Sequence, residues 1–347
     1  MKRTSLNDVA KAAGVSRMAV SYALRNSSKV SAATRRRIQA IAERLGYRPD
    51  PLIQRLSARL AGARSGTAAG STIGYVTTDR IQGEWRKTSA YRTLFDAAEK
   101  HAERQGYRLE EFWLGASGMS GERLSRIMQH RGIQGFIVAP LPEGTKPPHL
   151  TWGRFAIAAM GYSMPGPRVH RAVNHQLNTA LEAIRQAAGL GYKRIGLCVG
   201  QDQRLRVNNA WEHAILFHHS RIPAAQRVDS YLPQVFSTDD MLRWVESEKP
   251  DCLLIQNPSV LGYLQGAGYR VPEDIGLVLL DHNAHDNHDL AGMNQQHDMI
   301  GIACVDIVVS QIHRNEYGLP ATPRTVMIDG LWQPGPSMRA ARMSSAK

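Results

Sequence analysis

Residues 5–24 read SLNDVAKAAGVSRMAVSYAL, and this stretch decides how the first fifty residues fold. One apolar face recurs at helical spacing in a first helix that Ser5 can cap: Leu6, Val9, Ala10 and Ala13. Gly14 permits the positive φ of a tight turn, and Ser16 can cap a second helix. The inward residues of that second helix are Ala19, Val20, Ala23 and Leu24. A third helix, capped by Ser31 and ending at Gly46, closes the core, so the pattern predicts a helix-turn-helix unit.

The second helix has an opposite face that points away from this small core: Arg17, Met18, Ser21, Tyr22 and Arg25. In a helix-turn-helix unit such a face enters the major groove of DNA. A three-helix domain that binds another protein remains the alternative interpretation.

Basic charge is concentrated in the same region. Residues 1–65 contain 14 Lys and Arg against three acidic residues, whereas residues 66–347 contain 29 against 27. A strongly basic segment on a nearly neutral body is the electrostatic signature of a polyanion-binding domain. A solubilising tail would lack the apolar periodicity found here.

A second helical signal follows the three helices. Asp50 is a good N-cap and Pro51 a good first helical residue, so residues 50–60 are predicted to form a short hinge helix. An isolated helix of this length is marginally stable in water and needs a partner helix or DNA. Residues 61–71 are small and polar, which is typical of a linker.

The composition of the 347-residue chain excludes several classes of protein. Hydrophobic residues make up 43%, which is too many for a disordered chain. No apolar run is long enough for a membrane span, and no secretory signal follows Met1. Cys198, Cys252 and Cys304 are scattered through apolar runs, which argues against disulfides and favours a cytoplasmic protein.

From residue 72 onward, strands and helices alternate, which predicts a doubly wound α/β architecture with ligand sites at the carboxyl ends of strands. The predicted strands are 72–76, 109–113, 135–139, 155–159, 195–199, 252–256 and 277–280. The predicted helices lie near 90–105, 120–131, 176–190, 208–219, 238–248 and 299–315.

The beginning of the chain resembles the headpiece of the LacI family of bacterial transcription regulators. The motifs that carry the resemblance are Asp8-Val9-Ala10, Ala13-Gly14-Val15-Ser16, Val20-Ser21, Val30-Ser31, Thr34-Arg35 and Leu45-Gly46-Tyr47-Arg48-Pro49. The resemblance implies a homodimer on a pseudo-palindromic, double-stranded operator, with Leu56 of each hinge helix wedged into the minor groove. The implied DNA contacts are Ser16, Arg17, Met18, Ser21, Tyr22, Arg25, Ser31, Thr34, Arg35, Arg55 and Leu56.

The body also resembles that family, through Gly189-Leu190-Gly191-Tyr192-Lys193-Arg194-Ile195, Val271-Pro272-Glu273-Asp274-Ile275 and Gly335-Pro336-Ser337. The resemblance implies two Rossmann-like subdomains of the periplasmic-binding-protein type I, with an effector between them. The expected domains are a headpiece (1–49), the hinge helix, the linker, an effector-binding and dimerisation domain (72–337) and a tail (338–347). Within the effector-binding and dimerisation domain, the first subdomain is expected to span about 72–173 and 296–323, and the second about 174–295 and 324–337.

Family effector contacts fall on polar residues near strand ends: Thr78, Arg206, Asn257, Asp281 and Gln295. Carboxylates, amides and an Arg fork can pair with vicinal hydroxyls, so a sugar or sugar derivative is the expected effector. Met160-Gly161-Tyr162 stands where the family often has an Asp that contacts the sugar.

Other functions are weighed against this interpretation. The chain lacks the GxGxxG, GxxxxGK, GxSxG and HExxH motifs, so we expect no catalytic residues and no cofactor, although the fold would permit an α/β enzyme. His282, His285 and His288 could hold a metal, but a polar loop with exposed histidines is the favoured interpretation. A non-specific nucleoid-type DNA binder would have no need of a ligand module. We therefore expect a cytoplasmic, ligand-responsive repressor without a membrane partner.

Overall fold

The computed structural model describes residues 5–24, 29–47, 71–142, 144–283 and 286–340. The predicted hinge helix 50–60 lies outside these residues, as does almost all of the predicted linker. The implied DNA contacts Arg25, Arg55 and Leu56 also lie outside them, together with His285 and most of the predicted tail.

Three helices form the headpiece: α1 Leu6–Ala13, α2 Arg17–Leu24 and α3 Ala32–Arg44. Ser5 and Asp8 form a reciprocal capping box at the start of α1, and Gly14 ends it in the left-handed region at φ 63°. The predicted start and turn are therefore confirmed.

The headpiece core is small. Val9, Val20 and Ile38, one from each helix, have no exposed surface. The side-chain amide of Gln39 on α3 donates to the backbone carbonyl of Ala23 at 3.1 Å and ties α3 to α2. Because its inner face is held in this way, α2 presents its opposite face outward.

The described part of the body contains eleven strands and eight further α-helices. The strands are β1 Ser71–Thr77, β2 Tyr107–Trp113, β3 Gly135–Val138, β4 Ala156–Met160, β5 His170–Asn174, β6 Ile195–Cys198, β7 Cys252–Ile255, β8 Gly276–Leu279, β9 Ala291–Asn294, β10 Thr325–Ile328 and β11 Leu331–Gln333. The helices are α4 Ser89–Arg104, α5 Gly121–His130, α6 Gln176–Gly189, α7 Gln201–Arg206, α8 Ala210–His219, α9 Thr238–Glu248, α10 Val260–Gly266 and α11 His297–Arg314.

The strands form two sheets, which define two lobes. In the first lobe the strand order is β10-β5-β4-β3-β1-β2, and all pairings are parallel. In the second lobe the order is β11-β9-β8-β7-β6, with β11 antiparallel to β9. Helices α4 and α11 cover one face of the first sheet and α5 the other. Helices α6 and α8 cover one face of the second sheet, and α9 and α10 the other. The predicted doubly wound architecture is confirmed.

The chain passes between the lobes three times, after β5, after β9 and after β10. The sequence placed residues from 324 onward in the second subdomain, whereas β10 pairs with β5 in the first sheet, with Thr325 opposite Arg171. The third crossing therefore falls at Asp329 and Gly330. This corrects the predicted boundary: the backbone of residues 325–328 completes the edge of the first sheet before the chain leaves it.

Helices α4 and α11, which come from the early and the late segment of the first lobe in the sequence, pack closely against each other. A side chain at Gly301 on α11 would place its Cβ only 2.3 Å from the carbonyl oxygen of Leu94 on α4. The helices can approach this closely only because Gly301 has no side chain.

We expect Gly301→Ala to lower the free energy of unfolding by about 1–3 kcal/mol, because the clash forces the helices apart. Gly262 on α10 provides a matched control, since a Cβ there meets nothing within 4 Å. Gly262→Ala should stabilise the protein by about 0.5–1 kcal/mol. Urea unfolding of both variants measures the difference, and equal effects would contradict the proposed close packing.

Candidate functional site

The outward face of α2 carries predicted DNA-contacting residues. Arg17 and Met18 are exposed, and Met18 has 64% of its surface accessible although it is apolar. Ser21 and Tyr22 are half-buried at the next turn, and the Lys29 amine lies 5.1 Å from the centre of the Tyr22 ring. These side chains form one continuous surface on the first two turns of a helix, as base-edge recognition requires.

Three predicted hydroxyl contacts lie at helix starts. The Ser16 hydroxyl accepts from the Ala19 backbone N–H at 3.2 Å. The Ser31 hydroxyl accepts from the Thr34 N–H at 3.3 Å and lies 2.9 Å from the Thr34 hydroxyl. These residues therefore cap α2 and α3, whatever else they contact. Arg35, also predicted to contact DNA, is half-buried on α3.

A cleft of about 420 Å³ lies between the lobes. First-lobe residues from α4, from the segment after β4 and from α11 line it, among them Tyr91, Tyr162 and His297. The second lobe contributes α7 and the segment after β8, with Arg206 and Asp281. Polar groups from both lobes thus meet at the carboxyl ends of strands, where doubly wound folds bind ligands.

The structure brings together three of the five predicted effector contacts: Arg206, Asp281 and Gln295 line the cleft. The lining does not include Thr78 or Asn257. Thr78 has a buried hydroxyl with no hydrogen-bond partner in the described part of the chain. The Asn257 side chain instead accepts from the Ser259 N–H at 3.0 Å, which holds the turn that leads into α10.

Arg206 reaches across the cleft from the second lobe to the first. Its Nη1 donates to the Leu141 carbonyl at 2.7 Å and its Nη2 to the Tyr91 hydroxyl at 2.5 Å. Burial raises the pKa of Tyr91, and the Arg206 cation only partly offsets this. Tyr91 therefore stays a neutral phenol that accepts from Arg206 and still has a proton to donate.

Asp281 makes a second contact across the cleft. Its Oδ1 lies 2.8 Å from Nε2 of His297, and the two side chains are 29% and 17% exposed. Burial by itself would lower the pKa of His297, but the Asp281 and Asp298 carboxylates outweigh it and raise the pKa above its ordinary value. One carboxylate and one imidazole ring thus face each other from opposite lobes.

Gln295 lines the cleft, but hydrogen bonds within the protein occupy its side-chain amide. Its Nε2 donates to the Leu280 carbonyl at 2.9 Å, and its Oε1 accepts from Gln176 at 2.8 Å. Gln176 in turn accepts from the indole N–H of Trp211 at 2.8 Å. Gln295 therefore fixes the cleft wall at the second crossing between the lobes.

Asn174 connects the three crossings with one side chain. Its Nδ2 lies 3.2 Å from the Gln295 carbonyl and 3.0 Å from the Ile328 carbonyl, while its Oδ1 accepts from the Thr179 hydroxyl at 2.8 Å. Sequence reasoning missed Asn174, Tyr91 and His297. The available signals were an Asn directly after Ala172-Val173, and polar residues at the starts of predicted helices.

The histidine-rich segment after β8 does not behave as one exposed loop. His282 is buried, with Nε2 within 3.1 Å of the Asn287 and Leu290 carbonyls, which corrects the favoured interpretation for this residue. His288 is exposed and lies beside Asp289. Within the described ranges, no group of three or more His, Cys, Asp or Glu side chains is arranged to hold a metal ion.

Residues 5–50 match the family model described as "Bacterial regulatory proteins, lacI family". The match covers the three helices of the headpiece with the capped helix-turn-helix geometry described above. Residues 5–50 form a LacI-family headpiece. The chain is a DNA-binding transcriptional regulator, and LacI-family regulators as a class are not enzymes.

Full-length comparisons extend the similarity to the body. The chain is 21% identical over 332 residues to the HTH-type transcriptional repressor PurR of Aliivibrio salmonicida (strain LFI1238), covering 89% of this chain and 92% of the relative. A structure of the Lac repressor dimer bound to operator and the anti-inducer ONPF superposes with a TM-score of 0.57 at 18% identity. That alignment covers 98% of this chain and 100% of the other.

A complex of the transcriptional regulator CelR with cellobiose also has a TM-score of 0.57, at 18% identity, covering 96% of this chain and 100% of the other. At these identities the superpositions show the fold shared with LacI-family regulators. No helix within the described ranges is long and apolar enough to cross a bilayer.

Proposed function

We propose that this LacI-family regulator is a cytoplasmic repressor that binds a pseudo-palindromic operator as a homodimer. A sugar-like effector in the cleft between the lobes controls that binding. One observation carries the effector part: Arg206 and Asp281 of the second lobe contact Tyr91 and His297 of the first across the cleft. A ligand that touches these groups touches both lobes.

Such a ligand changes the equilibrium between relative orientations of the lobes by its differential affinity for them. In each subunit the hinge segment precedes the first lobe along the chain and is expected to move with it. Operator affinity and effector affinity are therefore linked. The side chains available in the cleft favour a ligand with hydroxyl groups, since the carboxylate of Asp281 accepts and the Tyr91 phenol donates. The CelR structure with cellobiose supports this class of ligand for a protein of the same fold.

A thermal-shift screen tests the effector part. Monosaccharides, disaccharides and sugar acids are added singly to the full-length protein, and one class is expected to raise Tm. A ligand at 100 times its Kd stabilises the folded state by about 2.7 kcal/mol. A bound ligand must then change the affinity for an operator selected from a random duplex library. A panel without any binder, or a binder without effect on DNA affinity, would contradict the proposal.

The outward face of α2 provides a separate test of sequence recognition. Arg17→Ala and Tyr22→Ala are each expected to cost about 1–3 kcal/mol at the base pair that the residue contacts, because a base-edge contact is lost. Arg36→Ala should instead weaken all sequences alike, since Arg36 is an exposed cation on α3. Binding to a set of single-base operator variants measures both effects. If Tyr22→Ala leaves the base preference unaltered, Tyr22 contacts no base and serves only in packing.

A further inference from the structure

His297 lies at a position that by itself disfavours a positive charge. It is the first residue of α11, and the N-terminus of a helix disfavours positive charge because the helix dipole is positive there. The Asp281 carboxylate from the other lobe supplies the compensating charge at 2.8 Å. The pair is charge-assisted, and such hydrogen bonds are about twice as strong as neutral ones.

The backbone before His297 is held in an uncommon conformation. Gln296 lies in the left-handed region at φ 53°, where residues other than Gly are rare. Two hydrogen bonds hold it: its N–H donates to the Asn294 side chain, and its own side-chain amide donates to the Asp329 carbonyl, both at 2.8 Å. The second and third crossings thus fix the direction in which the chain enters α11, and they place His297 on the cleft wall.

His297 and Asp281 belong to different lobes. His297 begins α11, whose Ile300 and Cys304 are part of the first-lobe core. Asp281 follows Leu280, which belongs to the second-lobe core. The pair therefore connects the lobes across the cleft, unlike an ion pair within one lobe, and its strength bears on how readily the cleft opens.

We propose that His297 and Asp281 form a proton-controlled clasp that holds the effector cleft closed, with His297 as the residue that positions Asp281 for the ligand. This inference rests on the proposed function, since it assigns a mode of regulation to the effector site. It names the protonated imidazole as the state that favours closure and gives the cleft a pH dependence.

The direction of the pH dependence follows from the environment of His297. The titratable groups around it are Asp281 and its helix neighbour Asp298, with Tyr91, Tyr162, Asp202 and Arg206 on the other cleft walls. Because the pKa of His297 is raised, the clasp is fully formed below the ordinary value of 6.5 and weakens as pH rises through the raised pKa. A neutral imidazole can still donate one N–H, so the bond loses its charge without disappearing.

Arg206 and Asn283 of the second lobe also donate hydrogen bonds to the first lobe across the cleft. The Arg206 guanidinium donates to the Leu141 carbonyl and the Tyr91 hydroxyl, and the Asn283 amide donates to the Ser89 hydroxyl. Neither donor is an imidazole, so we attribute a pH-dependent opening to the clasp, and removing Arg206 should make that opening easier to observe.

The test uses full-length protein without any sugar. Fluorophores on Ile81→Cys in the first lobe and Val235→Cys in the second report the distance between lobes, because both positions are exposed and the three native cysteines are buried. Between pH 6 and pH 9 the ratio of closed to open protein is expected to fall about tenfold, as for the loss of one charge-assisted bond. His297→Gln, which keeps a donor without a titratable charge, and Asp281→Asn should both abolish the pH dependence.

His213→Gln is the matched control, since His213 is exposed on α8 and does not line the cleft. It should retain the pH profile of the parent protein. In parallel, Asp281→Asn should lower the pKa of His297 measured by NMR of the imidazole. If Arg206→Ala protein shows no pH-dependent distance, or if Asp281→Asn leaves the His297 titration unchanged, the clasp is wrong. Since no sugar is present, these outcomes are independent of whether the ligand screen succeeds.

Discussion

Operator binding by this regulator is expected to weaken about 10³–10⁵-fold when salt rises from 50 to 200 mM. The reason is counterion release: a dimer that neutralises about 6–10 phosphates displaces as many condensed cations, and added salt opposes their release. The first 65 residues supply the charge, with 14 basic and three acidic residues. Fluorescence anisotropy with a labelled operator over a salt series measures the slope.

Charge substitutions locate the source of that slope. Arg36→Ala, which removes an exposed cation from α3, should reduce the slope by about one for each subunit that loses a phosphate contact. Arg185→Ala is the matched control, since Arg185 is an exposed cation on α6 of the second lobe, paired with Glu182. A slope near zero in the parent protein, or equal changes in the two variants, would contradict a DNA-binding role for the basic segment.

Asp281→Ala is expected to weaken effector binding about 100-fold. Truncating one partner of this half-buried contact is expected to cost roughly 2–3 kcal/mol, at the low end of the range for buried charge pairs, because the ligand hydroxyls lose their acceptor and His297 loses its counter-charge. Asp281 is suited to this role, since its Oδ1 faces His297 while the side chain still lines the cleft. Isothermal titration calorimetry with the sugar found in the screen gives the affinity.

Asp289→Ala provides the control for this variant. Asp289 is 71% exposed in the same segment of the second lobe and does not line the cleft. Its removal should leave effector affinity within about twofold, as expected for a surface substitution remote from the ligand. If Asp281→Ala binds the sugar as the parent does, the ligand lies elsewhere.

The headpiece could be predicted from sequence because its structure is set by local interactions. Helical spacing, the Ser5 cap and Gly14 each act within one or two turns of chain, and each was found as expected. The body was predicted less completely. The missed strands β5, β9, β10 and β11 have three to five residues each and lack the long apolar runs of buried parallel strands. They form through pairing with distant segments, which local patterns do not show.

The cleft shows the same division. Asp281 could be proposed from sequence, since a polar residue at the end of an apolar strand lies where doubly wound folds bind ligands. Asn257 satisfied the same rule, but its side chain is used in a local turn. Which strand-end residues face the cleft depends on how the two sheets are oriented, and a one-dimensional pattern carries no information on that orientation.

By itself the sequence determined the helix-turn-helix headpiece, its charge and the doubly wound body, because periodicity, capping and charge density act over short distances along the chain. Only the tertiary structure decided that Tyr91, Arg206, Asp281 and His297 share one cleft. Tyr91 and His297 are about two hundred positions apart in the sequence, and these residues meet because three crossings, joined at Asn174, bring the two lobes together. Contacts across the cleft are fixed by the packing of whole lobes. The free energy that holds these side chains in place comes from the hydrophobic cores of the two lobes and not from the contacting residues themselves.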